Sequence, residues 1–456
     1  MAQFALLLCC VLIFWLYRTD RKLRHLPSRA LWIPGLWLVL VCSRPVWWWL
    51  SSIGFDSYSR ANKGAVDDIV ITLLSIGAFV VLVRRNVDWA RFVQSNQALI
   101  LIYAYWLVSS FWAASGSVSV CVRLFKDFGH VLMALVLLTE AAPWAAIRTV
   151  FVRVAYVLLP LSIVLNKYFP EIGRIRNRGG SVLYVGVSIH KNSMGLTALV
   201  LGLVVLADLL SIRNSDSGAQ KVDRLIRYGM LGFVVWNLVM CDSKTSLLCL
   251  IFGTLLMWGT TRLTALKNPS QVLFRFLAVF LVVALFETTL GISDILLDSI
   301  DRDETLTGRT QIWQWVHETY MNPLVGVGFY SYWETPGALK IAERFPGGLQ
   351  TVHNGFLETY FDGGAISIVL LVLFLIIGFL RTVRRTLQNT LFGRFTLVLF
   401  IVALIYNYSE TSFFRFEPLW FTLLMTTIDY DKLLTRREIV ARASYARCET
   451  VHSGSY

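Results

Sequence analysis

Apolar runs of about 15–20 residues recur along the whole chain, each bounded by a basic block or by Gly, Pro and Asn. A helix of that length crosses the roughly 30 Å hydrocarbon core of a bilayer. Lipid offers no hydrogen bonds to free backbone groups, so a spanning segment must be a helix or part of a closed barrel. The runs are continuous rather than alternating in polarity, which selects the helix. Composition agrees: 56% of residues are hydrophobic and 16% charged, where a soluble domain carries about 25% charged. A soluble core could not enclose a dozen such runs. The expected fold class is therefore all-α, a polytopic helical membrane protein with about 12–13 transmembrane helices and one long periplasmic loop containing short helices.

The spans are expected near 3–17, 30–50, 67–83, 97–114, 128–142, 147–165, 193–210, 228–241, 245–261, 273–290, 365–381, 395–408 and 418–430. The first run lacks a basic segment before it and a small-residue cleavage site after it, and reads as a retained anchor. The net charge is +13, but the basic residues stand in short blocks between apolar runs, such as "RTDRKLRHLPSR" at 18–29 and "RTVRRTLQNTLFGR" at 381–394. Such blocks mark cytoplasmic loops and meet acidic lipid, so nucleic acid is not expected as a partner. This threading puts the N-terminus outside and the C-terminus inside. It divides the chain into a single integral membrane domain over 1–456, a long periplasmic loop over 291–364 and a cytoplasmic basic tail over 431–456. The seven cysteines show neither a CxxC nor a Cys/His ligand spacing, so neither a disulfide framework nor a zinc site is expected.

Cations on the outer side are what the positive-inside rule leaves unexplained, and they gather in three polar stations. The first, 166–196, holds Arg174, Arg176 and Arg178 at alternating positions, then Gly-Gly, then His190, Lys191 and Asn192 at the mouth of a span. Arginine forks match phosphate oxygens, so an anion site is one reading and an interfacial loop against headgroups the other. The second, "MCDSKTSLL" at 240–248, interrupts two apolar runs with Asp242, Ser243, Lys244 and Thr245. A tight helical hairpin needs such residues in any case, yet a lysine at membrane depth is also a functional candidate.

The third station is the long outer interval. From Arg309 to Tyr320 it reads as a short amphipathic helix, with Ile312, Trp313, Val316 and Tyr320 on one face, expected to lie on the membrane surface. Asn322-Pro323 ends it, and Gly326 and Gly328 make a bend. Farther on, His353 and Asn354 introduce an aromatic helical run with Glu358 one turn later, ended by Gly363-Gly364.

The ordered set "TGRTQIW…NPLVGVGFYSYW…VHNGFLETYFDGG" closely resembles the signature of the O-antigen ligase and polysaccharide polymerase family. "GVSIHKNSMG", "DSKTSLL" and "NYSETSFF" (407–414, with Glu410) are similar to its earlier and later motifs. The resemblance covers roughly 170–420. It implies a metal-independent, inverting transferase without cofactors, in the bacterial inner membrane with its site facing the periplasm. The implied partners are an undecaprenyl-diphosphate-linked glycan donor, a glycan or lipid A–core acceptor, membrane lipids and other polysaccharide assembly proteins. By the same resemblance Lys244 and Arg309 contact the diphosphate and His353 serves the acceptor hydroxyl. Arg174, Arg176, Arg178, His190, Lys191, Asn192, Trp313, Asn354, Glu358 and Glu410 are the expected substrate-binding residues.

Fixed cations would stabilise a leaving diphosphate in a dry rim, and histidine is the ordinary base for a hydroxyl acceptor. Polymerase is the reading favoured, because ligases tend to carry Arg where Lys244 stands. A ligase remains the alternative, and a transporter of a lipid-linked anion the further one.

Overall fold

The computed structural model describes residues 1–23, 28–52, 54–55, 64–176, 180–212, 217–260, 312–319, 321–344, 349–388, 390–431 and 433. They form a helical bundle with one two-stranded hairpin. The helices are α1 (Ala2–Leu23), α2 (Trp32–Cys42), α3 (Val46–Ser52), α4 (Ala65–Arg84), α5 (Trp89–Ser95), α6 (Gln97–Val108), α7 (Ser117–Leu138) and α8 (Pro143–Tyr168). After the hairpin follow α9 (Lys191–Ser211), α10 (Gly218–Met240), α11 (Lys244–Thr260), α12 (Pro336–Arg344), α13 (Gly355–Leu387), α14 (Leu391–Ser409) and α15 (Pro418–Thr427). The protein is a polytopic all-α membrane protein.

Among the described residues six helices are long and apolar enough to cross a membrane: α1, α4, α8, α9, α13 and α14. This is fewer than the 12–13 expected, for reasons visible in each element. The expected span 30–50 is broken by 73° between Arg29–Cys42 and Val46–Ser52, giving up to seven spans if that pair counts as one. Arg44 precedes Pro45, and a pre-proline residue is driven out of the helical region. Helix α7 carries Arg123, Lys126 and Asp127 in its first half, and α10 carries Lys221, Asp223, Arg224 and Arg227. Helix α15 has 10 residues. The expected span 273–290, and the tail beyond 433, lie outside the described residues.

Burial separates centre from periphery. In α8 and α9, 78% of the apolar window is enclosed by protein, against 11% in α1 and 22% in α4. The outer helices therefore turn apolar faces to lipid, where exposed Leu and Phe cost nothing. Buried charge fastens the bundle near the C-terminal ends of α1 and α9: Arg153 Nε donates to Asp20 at 2.7 Å and Arg227 Nε to Asp208 at 2.7 Å.

The segment before α13 folds on a small core of its own, built from Ile312, Val316, Tyr332, Ala338, Ile341, Val352 and Phe361. Residues 312–317 are helical, as the periodicity predicts. Their apolar face does not rest on the membrane, however: it packs into this core, which supplies the burial that the bilayer was expected to give.

This subdomain is locked to the bundle through the backbone. Helix α13 is two helices that meet at Gly364 (φ 64°, ψ −165°), so the turn around 361–366 has open donors and acceptors. The 322–328 turn fills them. Val327 N and Gly328 N donate to Phe361 O (3.2 Å) and Asp362 O (2.8 Å), while Ala365 N and Ile366 N donate to Pro323 O (2.8 Å) and Leu324 O (3.2 Å). Tyr105 of α6 adds its hydroxyl to Gly363 O at 2.5 Å.

Only glycine permits this approach at 364. A Cβ there would stand 2.3 Å from Leu324 O, and the φ/ψ pair is one that other residues reach at a cost of about 1–3 kcal/mol. Gly364→Ala is expected to lower the melting temperature and to open the 322–344 segment to proteases, measured by limited proteolysis against wild type. An unchanged digestion pattern would refute the backbone lock.

Candidate active site

Glu410 terminates α14 and lies at the centre of the site. The chain turns back there because the Asn407 side-chain oxygen accepts from Ser412 N (2.8 Å) and Phe413 N (3.0 Å). The carboxylate is 6% exposed and each of its oxygens reaches a different segment. Oε2 is 2.8 Å from Nδ1 of His353, and Oε1 accepts from Nδ2 of Asn192 at 3.0 Å. The Glu410 carbonyl also receives Gly355 N at 3.0 Å. The His353 side chain keeps 22% of its surface exposed, so the ring can be reached while the carboxylate behind it is shielded.

The triplet His353-Asn354-Gly355 divides the work. Asn354 caps α13, its Oδ1 accepting from Phe356 N and Leu357 N at 3.0 Å each, and its Nδ2 donates to Tyr408 O at 3.0 Å. At Gly355 a Cβ would meet Asn407 Oδ1 at 2.3 Å, so a side chain would push the segment off α14. His353 itself sits at φ +54°, a conformation that a non-glycine residue holds only when its neighbours are fixed.

The other two stations meet this pair. His190 caps α9, its Nδ1 accepting from Asn192 N at 3.3 Å, which places Asn192 to face Glu410. Desolvation, with nearby His353, holds the His190 imidazole below its ordinary value against the pull of Glu410. Lys191 Nζ is 3.7 Å from Asp242 Oδ2, in the turn between α10 and α11. Lys244 is the half-buried first residue of α11. The tight hairpin and the polar station are thus the same object. Close packing of α9 on this turn needs Gly195, where a Cβ would lie 2.4 Å from the Ser243 side chain.

Several expected substrate residues stand elsewhere. Arg174 and Arg176 belong to β1 (Arg174–Arg176), paired antiparallel with β2 (Val182–Tyr184). Arg174 is spent on Asn166 O (2.7 Å) and the Tyr184 ring, while Arg176 is exposed. Trp313 donates to Val352 O at 3.0 Å and so supports the residue before His353. Glu358 is 3% exposed and turned away from the histidine pair, accepting from Val352 N (2.6 Å), Trp333 Nε1 (2.8 Å) and Arg415. A carboxylate so enclosed holds the loop rather than a substrate. Arg309 and Arg178 lie outside the described residues. Among the described residues no group of three His, Cys, Asp or Glu side chains could hold a metal ion.

Two residues that sequence reasoning passed over shape the same region. Arg44 is 2% exposed and donates to Ser188 O (2.8 Å) and Ile172 O (2.6 Å), so it fixes the loop that ends at His190. It read as the interior of a span; the following proline was the available signal. Glu417 precedes α15, and burial, partly offset by Arg415 and reinforced by Glu410, pushes its carboxyl up to about 8.

The O-antigen ligase family matches residues 229–372, the stretch that holds Lys244, His353 and Glu358. The exopolysaccharide production protein ExoQ of Rhizobium meliloti (strain 1021) is 27% identical over 320 residues, covering 66% of this chain and 69% of ExoQ. Both similarities support a place in the O-antigen ligase and polysaccharide polymerase family. The apolar helices make it a multi-pass membrane protein, and the similarities support a ligase-like or polymerase-like role in polysaccharide assembly. The described motif residues of four separate segments, at 190–192, 242–244, 353–355 and 410, come to one end of the bundle.

The Glu417 shift gives a stability test. Between its ordinary 4.5 and about 8 the folded protein holds a proton that the unfolded chain has released, so stability falls as pH rises through that window. Glu417→Gln removes this penalty. Its melting temperature should exceed that of wild type at pH 8 and above, and the gap should close towards pH 4.5. A constant gap at all pH values would contradict the assignment.

Proposed function

We propose that this protein is a metal-independent, inverting polysaccharide polymerase. It moves a glycan from an undecaprenyl-diphosphate carrier to a sugar hydroxyl on a second carrier-linked glycan, at the periplasmic face of the inner membrane. The observation that carries this reading is the hydrogen bond between His353 and Glu410 at 2.8 Å. A carboxylate accepting at Nδ1 fixes the tautomer whose Nε2 lone pair is free, and it stabilises the imidazolium once formed.

In the reaction, His353 Nε2 takes the proton of the acceptor hydroxyl. The acceptor oxygen bonds to the anomeric carbon from the face opposite the diphosphate. The bond from that carbon to the diphosphate oxygen breaks, and the diphosphate leaves with the electron pair. No enzyme nucleophile intervenes, so the anomeric configuration inverts. Lys244 and Lys191, joined by Arg309 on the strength of the family resemblance, offset the charge that grows on the leaving group, and cations fixed in a dry rim do this better than water. Lysine at 244 in place of the arginine of ligases, and a relative named for exopolysaccharide production, favour polymerase over ligase.

The test is transfer in proteoliposomes with carrier-linked repeat units as sole substrate, in chelator. Wild type is expected to lengthen the glycan, and His353→Ala to lose on the order of 10²–10⁴ in turnover, the usual worth of a general base. Transfer only after lipid A–core is added would make the enzyme a ligase. Movement of the lipid across the vesicle without transfer would make it a transporter.

A further inference from the structure

We infer that Arg415 is a positioning residue of the transfer reaction, acting through Glu358 to hold His353 in the backbone conformation that aims its ring at Glu410. The inference rests on the reading of His353 as the base. Arg415 lies between α14 and α15, is 6% exposed, and makes an ion pair with Glu358 through Nη2. Its guanidinium carbon stands 3.6 Å from the Tyr330 ring centroid. The same Glu358 carboxylate accepts from the amide of Val352 at 2.6 Å, one residue before His353.

His353 is thus pinned from both sides. Upstream, the Val352 amide is tied to Glu358. Downstream, Gly355 N is tied to Glu410 O and Asn354 caps α13. A left-handed φ in a branched-chain context relaxes unless both flanks are held. The upstream hold depends on a buried carboxylate whose charge, among the described residues, is paired by Arg415. Without that partner a buried carboxylate takes up a proton or turns towards water. The Val352 amide then loses its charge-assisted acceptor, and the imidazole can leave Glu410.

The space beside Arg415 is small. The cavity beside the guanidinium, lined by Tyr330, Glu358, Asp362 and Arg415 among others, measures about 10 Å³, room for one water at most. The plainer alternative is an ion pair that only fastens the loop subdomain to the bundle. Asp362, which also faces Arg415, supplies further bonds of that kind, accepting from Ser331 N (3.0 Å) and Tyr332 N (2.9 Å).

The experiment compares kcat, KM for the carrier-linked substrate, and melting temperature for full-length Arg415→Met/Glu358→Leu, Arg415→Lys and His353→Ala. Replacing a buried pair by apolar residues of similar size usually preserves folding. The double variant should fold, with a melting temperature lowered because Val352 N–H and Trp333 Nε1–H lose their acceptor, yet lose about 10²-fold in kcat, the scale of a misplacement near 1 Å, with KM unchanged. Arg415→Lys keeps the charge but not the planar fork, so kcat should fall several-fold, again with KM unchanged. It carries the test by itself if the double variant does not fold. Wild-type kcat in Arg415→Lys or in a folded double variant, or a rise in KM alone, would overturn the inference. Full turnover in His353→Ala would overturn the assignment of the base, a separate result that the Arg415 variants do not influence.

Discussion

One buried carboxylate organises the end of the bundle where the polar motifs meet. Glu410 is shared between the ring of His353 and the side-chain amide of Asn192, residues at the starts of two helices far apart in the chain. Neither helix would present its polar end to the other without such a partner, because both lead into apolar spans. Its own backbone carbonyl receives Gly355 N, so the same residue fixes both the side chain of His353 and the start of α13. A shielded acceptor of this kind costs desolvation and is retained where it sets the orientation of another group.

The second constraint is the break at Gly363-Gly364. An intact helix here would leave no place for the 322–328 turn, and the loop subdomain would have only side chains with which to grip the bundle. The break converts unsatisfied backbone groups into four cross-chain hydrogen bonds. Because His353 and Trp313 both belong to this subdomain, the geometry of the histidine follows from how rigidly the turn seats in the break. The small core around Val316 and Tyr332 makes the subdomain stiff enough to transmit that constraint.

Much of this was legible in the residues themselves. Apolar runs place the described helices, Asn322-Pro323 with Gly326 and Gly328 mark the turn, and Asp242 to Lys244 mark the hairpin. His190 and Asn192 were singled out at the mouth of a span, His353 at the start of a helical run, and Glu410 by the family resemblance. Their mutual contacts were not legible, since the pairing of Glu410 with His353 depends on how α13 and α14 pack. The period that makes 312–317 amphipathic is the same for a helix on lipid and a helix on its own core, so sequence could not choose between them. Arg415 was invisible for a related reason: a single arginine between aromatics reads as a loop charge, and only the fold shows the carboxylate it meets. For Glu358, likewise, only the fold shows that its carboxylate meets Val352, Trp333 and Arg415.

The central claim is that the segments around 190–192, 242–244 and 353–355 form one site for a lipid diphosphate. Photocrosslinking with a photoactivatable undecaprenyl diphosphate, followed by peptide mass spectrometry, tests it most directly. The account predicts adducts in all three segments, competed together by unlabelled carrier and lost together in Glu410→Gln. Adducts confined to the lipid-facing α1 and α4, or one segment labelled independently of the others, would contradict it.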